Sequence, residues 1–414
     1  MMKILWCTHS MAGFKPEVGG YHGCGWITSL LEQFANLDGM EIGVAFFYGE
    51  DAEPLVKDRI TYYPIKQRKV SALGKIKTFF GDYSAWEGEE TYHLDKLQEI
   101  IEKFKPDVIH VWGTETDMGL IAKRVDLPVI VHLQGLLNPI LNALLPPGVN
   151  QNDFLFKDGL NPIKILNNLN ALNYWEYKTS REVRILKSCK KYFGRTHWDK
   201  AISRLYSPSG EYYYCSEILR DIFYHGEWAR DTSKIRILST ISSPLYKGAD
   251  LVLKTAHLLK EYANIDFEWN LVGVSNVKLQ EKITHIKASE VNVYCCGVKT
   301  PEELYKLARQ SSVYFHPSYI DNSPNSVCEA QIIGLPVIAV NVGGVSTLID
   351  DKKTGILTPP NEPHMAAMNI LNLLDDKNLM MSLSSNSKKE ACKRHNPKAI
   401  MSSLLSLYYQ FEKL

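Results

Sequence analysis

Several signatures that would identify a class of protein directly are missing from the 414-residue sequence. There is no G-x-x-x-x-G-K-[ST] motif, so the phosphate loop of P-loop nucleotide hydrolases is excluded. There is no D-x-D pair either, which leaves a carboxylate-bound metal for a diphosphate without support. The formal net charge is only +1, whereas nucleic-acid-binding proteins usually show an obvious basic excess. We therefore expect no metal, no cofactor and no nucleic-acid partner.

Cysteine is also sparse and follows no recognisable pattern. The eight cysteines lack metal-ligand spacing, and the only adjacent pair, Cys295 and Cys296, lies in an apparent strand. Free, buried thiols in a reducing compartment are the simplest interpretation.

The apolar runs of the sequence also predict neither a targeting segment nor a membrane-spanning segment. The apolar run Ile4–Cys7 is too short for a secretion signal. Residues 330–349 are uncharged and long enough to span a bilayer, but they include Pro336, Asn341 and three glycines. A helix end, a buried strand and a glycine loop explain this stretch better. The sequence thus predicts a cytoplasmic protein.

The apolar runs that are present alternate between strand and helix patterns, which predicts an α/β protein with parallel sheets. A chain of this length exceeds one ordinary core, so we expect two domains. The predicted strands of the first half are 3–8, 42–48, 107–112, 128–133, 191–193 and 212–215. Those of the second half are 235–240, 267–272, 291–296, 313–316 and 337–340, with helices at 250–259, 301–309 and 324–333.

Domain boundaries follow from changes in this pattern. The apolar period is interrupted at residues 224–233, so we place an N-terminal domain at 1–224 and a C-terminal domain at 225–395. The last stretch, 396–414, has apolar residues at helical spacing and is predicted to be a helix that packs back on the N-terminal domain.

The most informative segment surrounds the predicted helix 324–333. Ser323 is a favourable N-cap residue, Pro324 suits the first helical position, and Gly334 with Pro336 ends the helix. The backbone amides at its start, those of Asn325, Ser326 and Val327, form an anion site suited to phosphate. Asp321 and Glu329 flank this site and could accept hydrogen bonds from sugar hydroxyls. Phosphate and hydroxyl recognition side by side indicate a sugar nucleotide.

A series of motifs in the second half extends this interpretation. The series is Lys247-Gly248, Cys296-Gly297-Val298, Glu302-Glu303-Leu304, His316-Pro317-Ser318, Asp321-x7-Glu329, Gly334-Leu335-Pro336-Val337, Gly343-Gly344 and Thr354-Gly355-Ile356-Leu357. In this order and spacing the motifs resemble the C-terminal half of family 4 glycosyltransferases. The likeness covers nearly the whole chain and is strong from residue 235 to residue 357.

The resemblance implies a GT-B fold, in which two Rossmann-like domains with parallel sheets face each other across a cleft. It also implies a retaining transfer of a sugar from a nucleotide diphosphate, with UDP favoured, to a hydroxyl of a glycan or lipid-linked glycan, without a metal. Lys247 would neutralise the leaving diphosphate, Asp321 would contact the transferred sugar, and Glu329 would hold the ribose hydroxyls. The amides of Asn325, Ser326 and Val327 would bind the diphosphate, and Gly297 with Val298 would lie beside the base.

In the first half, Gly19 and Gly20 match the family's loop that approaches the donor diphosphate, although no G-x-G-x-x-G fingerprint is formed there. Gln134 occupies the position where the family often carries a His near the donor sugar. An amide can hydrogen-bond a sugar hydroxyl but cannot act as a base. His132, two residues earlier, is interpreted as a strand histidine without a catalytic role.

Two residues depart from the family pattern. Asp321 replaces the family's first Glu, which shortens the side chain by about one methylene and leaves sugar identity open. Ser242 occupies the place of an Arg that usually precedes the Lys by five residues. The loss of such a transition-state contact commonly costs on the order of 10²-fold in rate. Arg195 is the candidate replacement for contacting phosphate.

Two basic stretches bear on the acceptor. Residues 66–80 combine lysines with Ile76, Phe79 and Phe80, and such a face could contact an anionic membrane. A second stripe could meet a lipid diphosphate, and it consists of Lys178, Arg181, Arg184, Lys187 and Lys190. The expected partners are therefore a nucleotide-sugar donor, a glycan or lipid-linked glycan acceptor, and the membrane surface.

Two alternative functions remain open. A sugar-nucleotide epimerase of the same fold would need acid and base carboxylates on both sides of the sugar, and no convincing set is found. A non-catalytic sugar-nucleotide-binding protein is the other alternative, because the family's Arg is missing.

Overall fold

The computed structural model describes residues 1–14, 25–35, 37–68, 70–229, 231, 233–242 and 245–412. The chain divides into two units. The first unit comprises Met1–Leu141, Asp158–Ile218 and Pro397–Leu414. The second unit comprises Asn142–Lys157 and Leu219–Asn396. Its main segment begins at residue 219, whereas the sequence pattern predicts that the C-terminal domain begins at residue 225.

Eight strands of the first unit form one sheet. They are β1 Met2–Thr8, β2 Met40–Tyr48, β3 Leu55–Lys57, β4 Ile60–Lys66, β5 Val108–Trp112, β6 Val129–His132, β7 Lys191–Gly194 and β8 Glu211–Tyr214. Their order is β3-β4-β2-β1-β5-β6-β7-β8. Every neighbouring pair is parallel except β3 and β4, which are antiparallel. Strands β1, β2, β5 and β6 are buried along almost their whole length, and their apolar runs are nearly continuous because they are covered on both faces.

Strands β3 and β4 are absent from the sequence-based prediction, because Pro64 lies within the β4 run and proline argues against a strand. The position of Pro64 in the sheet explains why a proline is tolerated in β4. The antiparallel pairing ends where Leu55 meets Tyr62, so Pro64 lies beyond the end of β3. No ladder on that side is interrupted by its missing N–H.

Helices cover the sheet of the first unit. They are α1 Gly25–Ala35, α2 Ala72–Phe79, α3 Ser84–Phe104, α4 Leu137–Ala143, which continues into the second unit, α6 Pro162–Ser188, α7 His197–Tyr206 and α16 Pro397–Glu412. The terminal helix α16 packs on β5, and the Tyr408 hydroxyl hydrogen-bonds His110 Nδ1. Both of these side chains are fully buried.

The second unit contains a six-stranded sheet. Its strands are β9 Ile235–Thr240, β10 Phe267–Val272, β11 Val293–Gly297, β12 Val313–His316, β13 Val337–Val340 and β14 Ile356–Thr358. Their order is β11-β10-β9-β12-β13-β14, and all neighbours are parallel. The strand order reverses at β9 and β12, and loops at such a switch point form ligand sites in open parallel sheets.

The helices of the second unit are α5 Gln151–Leu155, α8 Asp221–Tyr224, α9 Ala249–Glu261, α10 Lys278–Thr284, α11 Pro301–Gln310, α12 Asn325–Ile333, α13 Val345–Leu348, α14 Pro363–Asp375 and α15 Lys377–Arg394. All of them except α5 and α10 contribute apolar side chains to the two clusters that cover the faces of the sheet. The uncharged residues 330–349 form the end of α12, strand β13, a glycine turn and the short helix α13. Across the described ranges, no helix combines the length and apolarity needed to cross a bilayer.

Candidate functional site

Lys247 and Asp321 meet at the carboxyl end of the second sheet. Lys247 ends a single 3₁₀ turn after β9, and Asp321 lies in the loop between β12 and α12. Their Nζ and Oδ2 atoms are 2.7 Å apart. Burial alone would raise the pKa of Asp321, but the Lys247 ammonium and His316 lower it well below its usual range. Burial alone would lower the pKa of Lys247, and the Asp321 carboxylate more than offsets this. The pair is therefore ionised at neutral pH.

The Asp321 carboxylate is held on several sides. His316 Nε2 lies 3.3 Å from Oδ2, and the Ser318 hydroxyl donates to the same oxygen at 3.4 Å. The Asn322 amide donates to Oδ1 at 3.1 Å. These contacts fix the carboxylate with Oδ2 directed at Lys247.

Two motif glycines allow this loop cluster to pack closely. Gly248 has φ +79°, and a Cβ at this position would lie 2.1 Å from the Pro317 carbonyl oxygen. Gly343 has φ +53°, and a Cβ there would lie 2.0 Å from the Asp321 carbonyl oxygen. Any larger residue would displace the loop that carries Asp321, so these glycines are required by close backbone approach.

Helix α12 begins one residue later than the sequence predicted. Pro324, with ψ 115°, is the N-cap rather than the first helical residue, and Ser323 is not the cap. The Val327 amide already donates to the Pro324 carbonyl at 3.0 Å. Of the three amides assigned to phosphate, those of Asn325 and Ser326 therefore precede the first helical hydrogen bond and point out of the helix start.

Glu329, on the second turn of α12, is 4% exposed and forms a bidentate ion pair with Arg220. The Arg220 Nε–Oε1 and Nη2–Oε2 distances are 2.6 and 2.5 Å. Burial raises the pKa of Glu329, and the guanidinium opposes that rise. Sequence reasoning missed Arg220, because it lies 109 positions from Glu329 and outside every motif.

Gly297 is the last residue of strand β11, and Val298 follows it. Gly297 has φ +65°, and its amide donates to the Val274 carbonyl at 2.9 Å. The Val298 side chain is 62% exposed. Ser242, at the place of the family's missing Arg, is exposed, and residues 243 and 244 lie outside the described residues. Gly19 and Gly20 also lie outside the described residues.

The first unit brings Gln134 and Arg195 together. Arg195 Nη2 donates to Gln134 Oε1 at 2.7 Å, which fixes the orientation of the amide. Arg195 also forms an ion pair with Glu217, and the two residues are only 5% and 3% exposed. Glu217 was not anticipated from the sequence. Arg195, predicted to contact phosphate, is thus engaged by a buried carboxylate within its own unit.

His132 is a core residue. Its ring is parallel to that of His110, with centroids 5.4 Å apart, and stacks on Trp112 at 4.6 Å. Burial, reinforced by His110 and Arg195, holds the pKa of His132 well below its ordinary value. A neutral, buried ring of this kind supports the non-catalytic interpretation.

The basic stripe on α6 is engaged within the first unit. Arg181 Nη2 donates to the Glu115 carbonyl at 2.6 Å, and Arg184 Nη2 donates to both oxygens of Glu90 at 2.9 Å. Two of its central cations therefore have internal partners, and the stripe is not a continuous basic face.

Comparison with known proteins places these features in context. Residues 222–390 match the family described as "Glycosyl transferases group 1", so the second unit carries a domain of that type. A D-inositol 3-phosphate glycosyltransferase of Paenarthrobacter aurescens is 33% identical over 135 residues, which are 31% of this chain and 33% of the relative. The chain thus matches about a third of the length of that curated relative.

Solved structures match over almost the whole chain. A sucrose-phosphate synthase from Thermosynechococcus elongatus has a TM-score of 0.74 at 16% identity and covers 99% of both chains. Anabaena Alr3699/HepE, crystallised with UDP and glucose, has a TM-score of 0.66 at 15% identity, covering 99% of this chain and 100% of the other. These likenesses show the fold, and the predicted GT-B architecture of two Rossmann-like domains is confirmed.

Proposed function

We propose that this chain is a retaining glycosyltransferase of the hexosyltransferase class. It transfers a sugar from a nucleotide-diphosphate sugar, with UDP favoured, to a hydroxyl of a glycan or lipid-linked glycan. The observation that carries the proposal is the second unit's cluster of Lys247, Asp321 and the start of α12. The match of residues 222–390 to the glycosyl transferases group 1 model supports the same reaction class.

The donor diphosphate would lie against the start of α12. The amides of Asn325 and Ser326 and the positive end of the helix dipole attract negative charge there. Asp321 lies four residues before Asn325 and fixes Lys247 beside this site. The Lys247 ammonium has three N–H donors, so its bond to Asp321 leaves two for phosphate oxygens. These groups stabilise the charge that develops on the leaving group.

The remaining residues would contact the other parts of the donor. Glu329 accepts hydrogen bonds from the ribose hydroxyls, and Gly297 with Val298 borders the base. Asp321 contacts a hydroxyl of the transferred sugar. UDP is preferred over GDP because Anabaena Alr3699/HepE, a structural neighbour, was crystallised with UDP.

The chemistry requires no protein nucleophile. As the sugar–phosphate bond breaks, the acceptor oxygen attacks the same face of the sugar, and its proton passes to an oxygen of the departing phosphate. The anomeric configuration is thereby retained. Charge stabilisation comes from Lys247 and the α12 amides, so we expect transfer to proceed in the presence of EDTA.

Incubating the full chain with a panel of UDP- and GDP-sugars, with and without candidate glycan acceptors, tests this proposal. We expect slow donor hydrolysis alone, and transfer with retained anomeric configuration when an acceptor is present. Conversion of the donor to an epimer would instead identify an epimerase. Binding without turnover would identify a non-catalytic sugar-nucleotide-binding protein, the alternative suggested by Ser242 in the place of the family's Arg.

We also propose that the protein works in the cytoplasm at the inner membrane face, in polysaccharide or lipopolysaccharide synthesis. Helix α2 and the residue after it expose three large apolar side chains, Ile76, Phe79 and Phe80, and Phe80 is 78% exposed. Lys75 and Lys77 of the same helix are also exposed. Apolar side chains flanked by lysines fit an anionic bilayer, which would supply a lipid-linked acceptor.

Liposome flotation at low salt tests this surface. The parent chain is expected to float with anionic vesicles, and Phe79→Ser/Phe80→Ser should weaken binding by about tenfold or more, since two inserted rings are removed. Tyr262→Ser is the matched control, because Tyr262 is equally exposed at 77% but lies in the second unit. Equal flotation of the parent and both variants, or no binding by the parent, would contradict the membrane proposal.

A further inference from the structure

Arg220 contacts the residue to which the proposed function assigns ribose recognition. It lies immediately before α8 and is bound to Glu329 through two of its nitrogens. We propose that Arg220 is a positioning residue, which orients the Glu329 carboxylate so that a lone pair left on it receives a ribose hydroxyl. This inference rests on the proposed function and deepens it, because it names the residue that makes the donor site selective for a ribonucleotide.

The geometry of the pair supports this role. A carboxylate offers about four lone-pair positions, two on each oxygen. The Arg220 fork uses one position on each oxygen, through contacts of 2.6 and 2.5 Å. These are the two parallel positions along one edge of the carboxylate, so the position left on each oxygen points to its own side and can accept one ribose hydroxyl there. A carboxylate free to rotate would not keep that acceptor directed at the ribose.

The surroundings of the pair hold it in place. The Arg220 guanidinium lies 4.9 Å from the centre of the Phe223 ring, and its side chain is 13% exposed. Because Glu329 is buried, ionising it without a cation would be costly. Arg220 therefore keeps the carboxylate charged as well as oriented, and a charged, oriented oxygen is a strong acceptor for a ribose hydroxyl.

A second arginine that contacts helix α12 provides a matched control. Arg394 of α15 reaches α12 through Gln331, and its Nη1 also donates to the Leu348 carbonyl at 3.2 Å. It does not contact Glu329 in the described part of the chain. Removing Arg394 disturbs the packing of α12 without altering the carboxylate that we assign to ribose.

Calorimetric titration with UDP and with 2′,3′-dideoxy-UDP tests the inference. We expect the parent to bind UDP about tenfold more tightly than the dideoxy analogue, as for loss of hydrogen bonds to a charged group. Arg220→Met should reduce this ratio to about one while changing the affinity for dideoxy-UDP by less than about threefold. Arg394→Met should keep the parent's ratio.

Other results would overturn the inference. Arg220→Met removes the cation beside the buried Glu329 and is expected to lower stability, so Arg220→Met/Glu329→Gln is compared with Glu329→Gln alone, and both should show a ratio of about one. If Arg220→Met weakens both ligands equally, or keeps the parent's ratio, Arg220 has only a structural role. A parent that binds neither UDP nor any nucleotide sugar would contradict the proposed function itself, and with it this inference.

Discussion

Lys247→Met is expected to lower the rate of sugar transfer by on the order of 10²-fold or more, because the ammonium stabilises charge that appears on the leaving diphosphate. The effect should fall mainly on kcat, since that charge is larger in the transition state than in the bound donor. Steady-state kinetics with the donor identified by the panel measures it. A variant with the parent's kcat would show that Lys247 does not stabilise the charge on the leaving diphosphate.

The same substitution should change stability in a pH-dependent manner. In the parent, Lys247 and His316 lower the folded-state pKa of Asp321, so the pair's stabilisation is complete above about pH 4, near the unfolded pKa. That stabilisation is lost as the pH falls through the folded pKa. Removing Lys247 leaves the buried carboxylate without its main cation and should cost about 3–5 kcal/mol at pH 7.

Urea denaturation of the parent and Lys247→Met between pH 7 and pH 3 checks this expectation. The difference in free energy of unfolding should be largest at neutral pH and should shrink below about pH 4, where Asp321 becomes protonated in the unfolded chain. His316→Gln, which removes a weaker neighbour at 3.3 Å, serves as a graded comparison. A difference that is constant over this pH range would show that Asp321 is not the group responsible.

Arg195→Met is expected to destabilise the first unit by about 3–5 kcal/mol, because it removes the guanidinium that forms an ion pair with the buried Glu217 carboxylate. The double variant Arg195→Met/Glu217→Leu should recover most of this loss, since both charges are removed together. Chemical denaturation monitored by tryptophan fluorescence measures these differences.

An exposed ion pair of the same unit provides the control. Arg59 and Asp38 lie 2.8 Å apart, but their side chains are 65% and 95% exposed. Arg59→Met should therefore change the free energy of unfolding by less than about 1 kcal/mol. If Arg195→Met had as small an effect, or the double variant were no better than the single, burial of the Arg195–Glu217 pair would not explain its contribution.

The sequence predicted the parts of the fold that depend on local pattern. Apolar runs in the sequence mark strands β9 and β12. Gly334 marks the end of helix α12, because glycine readily adopts the left-handed backbone conformation that ends a helix. The start of α12 was misplaced by one residue, because Pro324 fits either the N-cap or the first helical position.

The sequence could not predict contacts between distant segments. Arg220 meets Glu329, and Arg195 meets Gln134, only after the sheets have formed. The position of neither arginine in the sequence indicates which residue it contacts. Strand β4 was missed for a related reason, since Pro64 is tolerated only because the neighbouring β3 is short. Motifs therefore located the candidate site, whereas its charge pairing required coordinates.

Amide NMR of the full chain, selectively labelled with ¹⁵N-asparagine and ¹⁵N-serine, tests the central claim most directly. If the start of α12 binds the donor diphosphate, UDP should shift the amide resonances of Asn325 and Ser326, and uridine, which lacks the diphosphate, should leave them in place. If UDP binds by calorimetry but both resonances stay unchanged, or if uridine shifts them equally, the diphosphate is bound elsewhere.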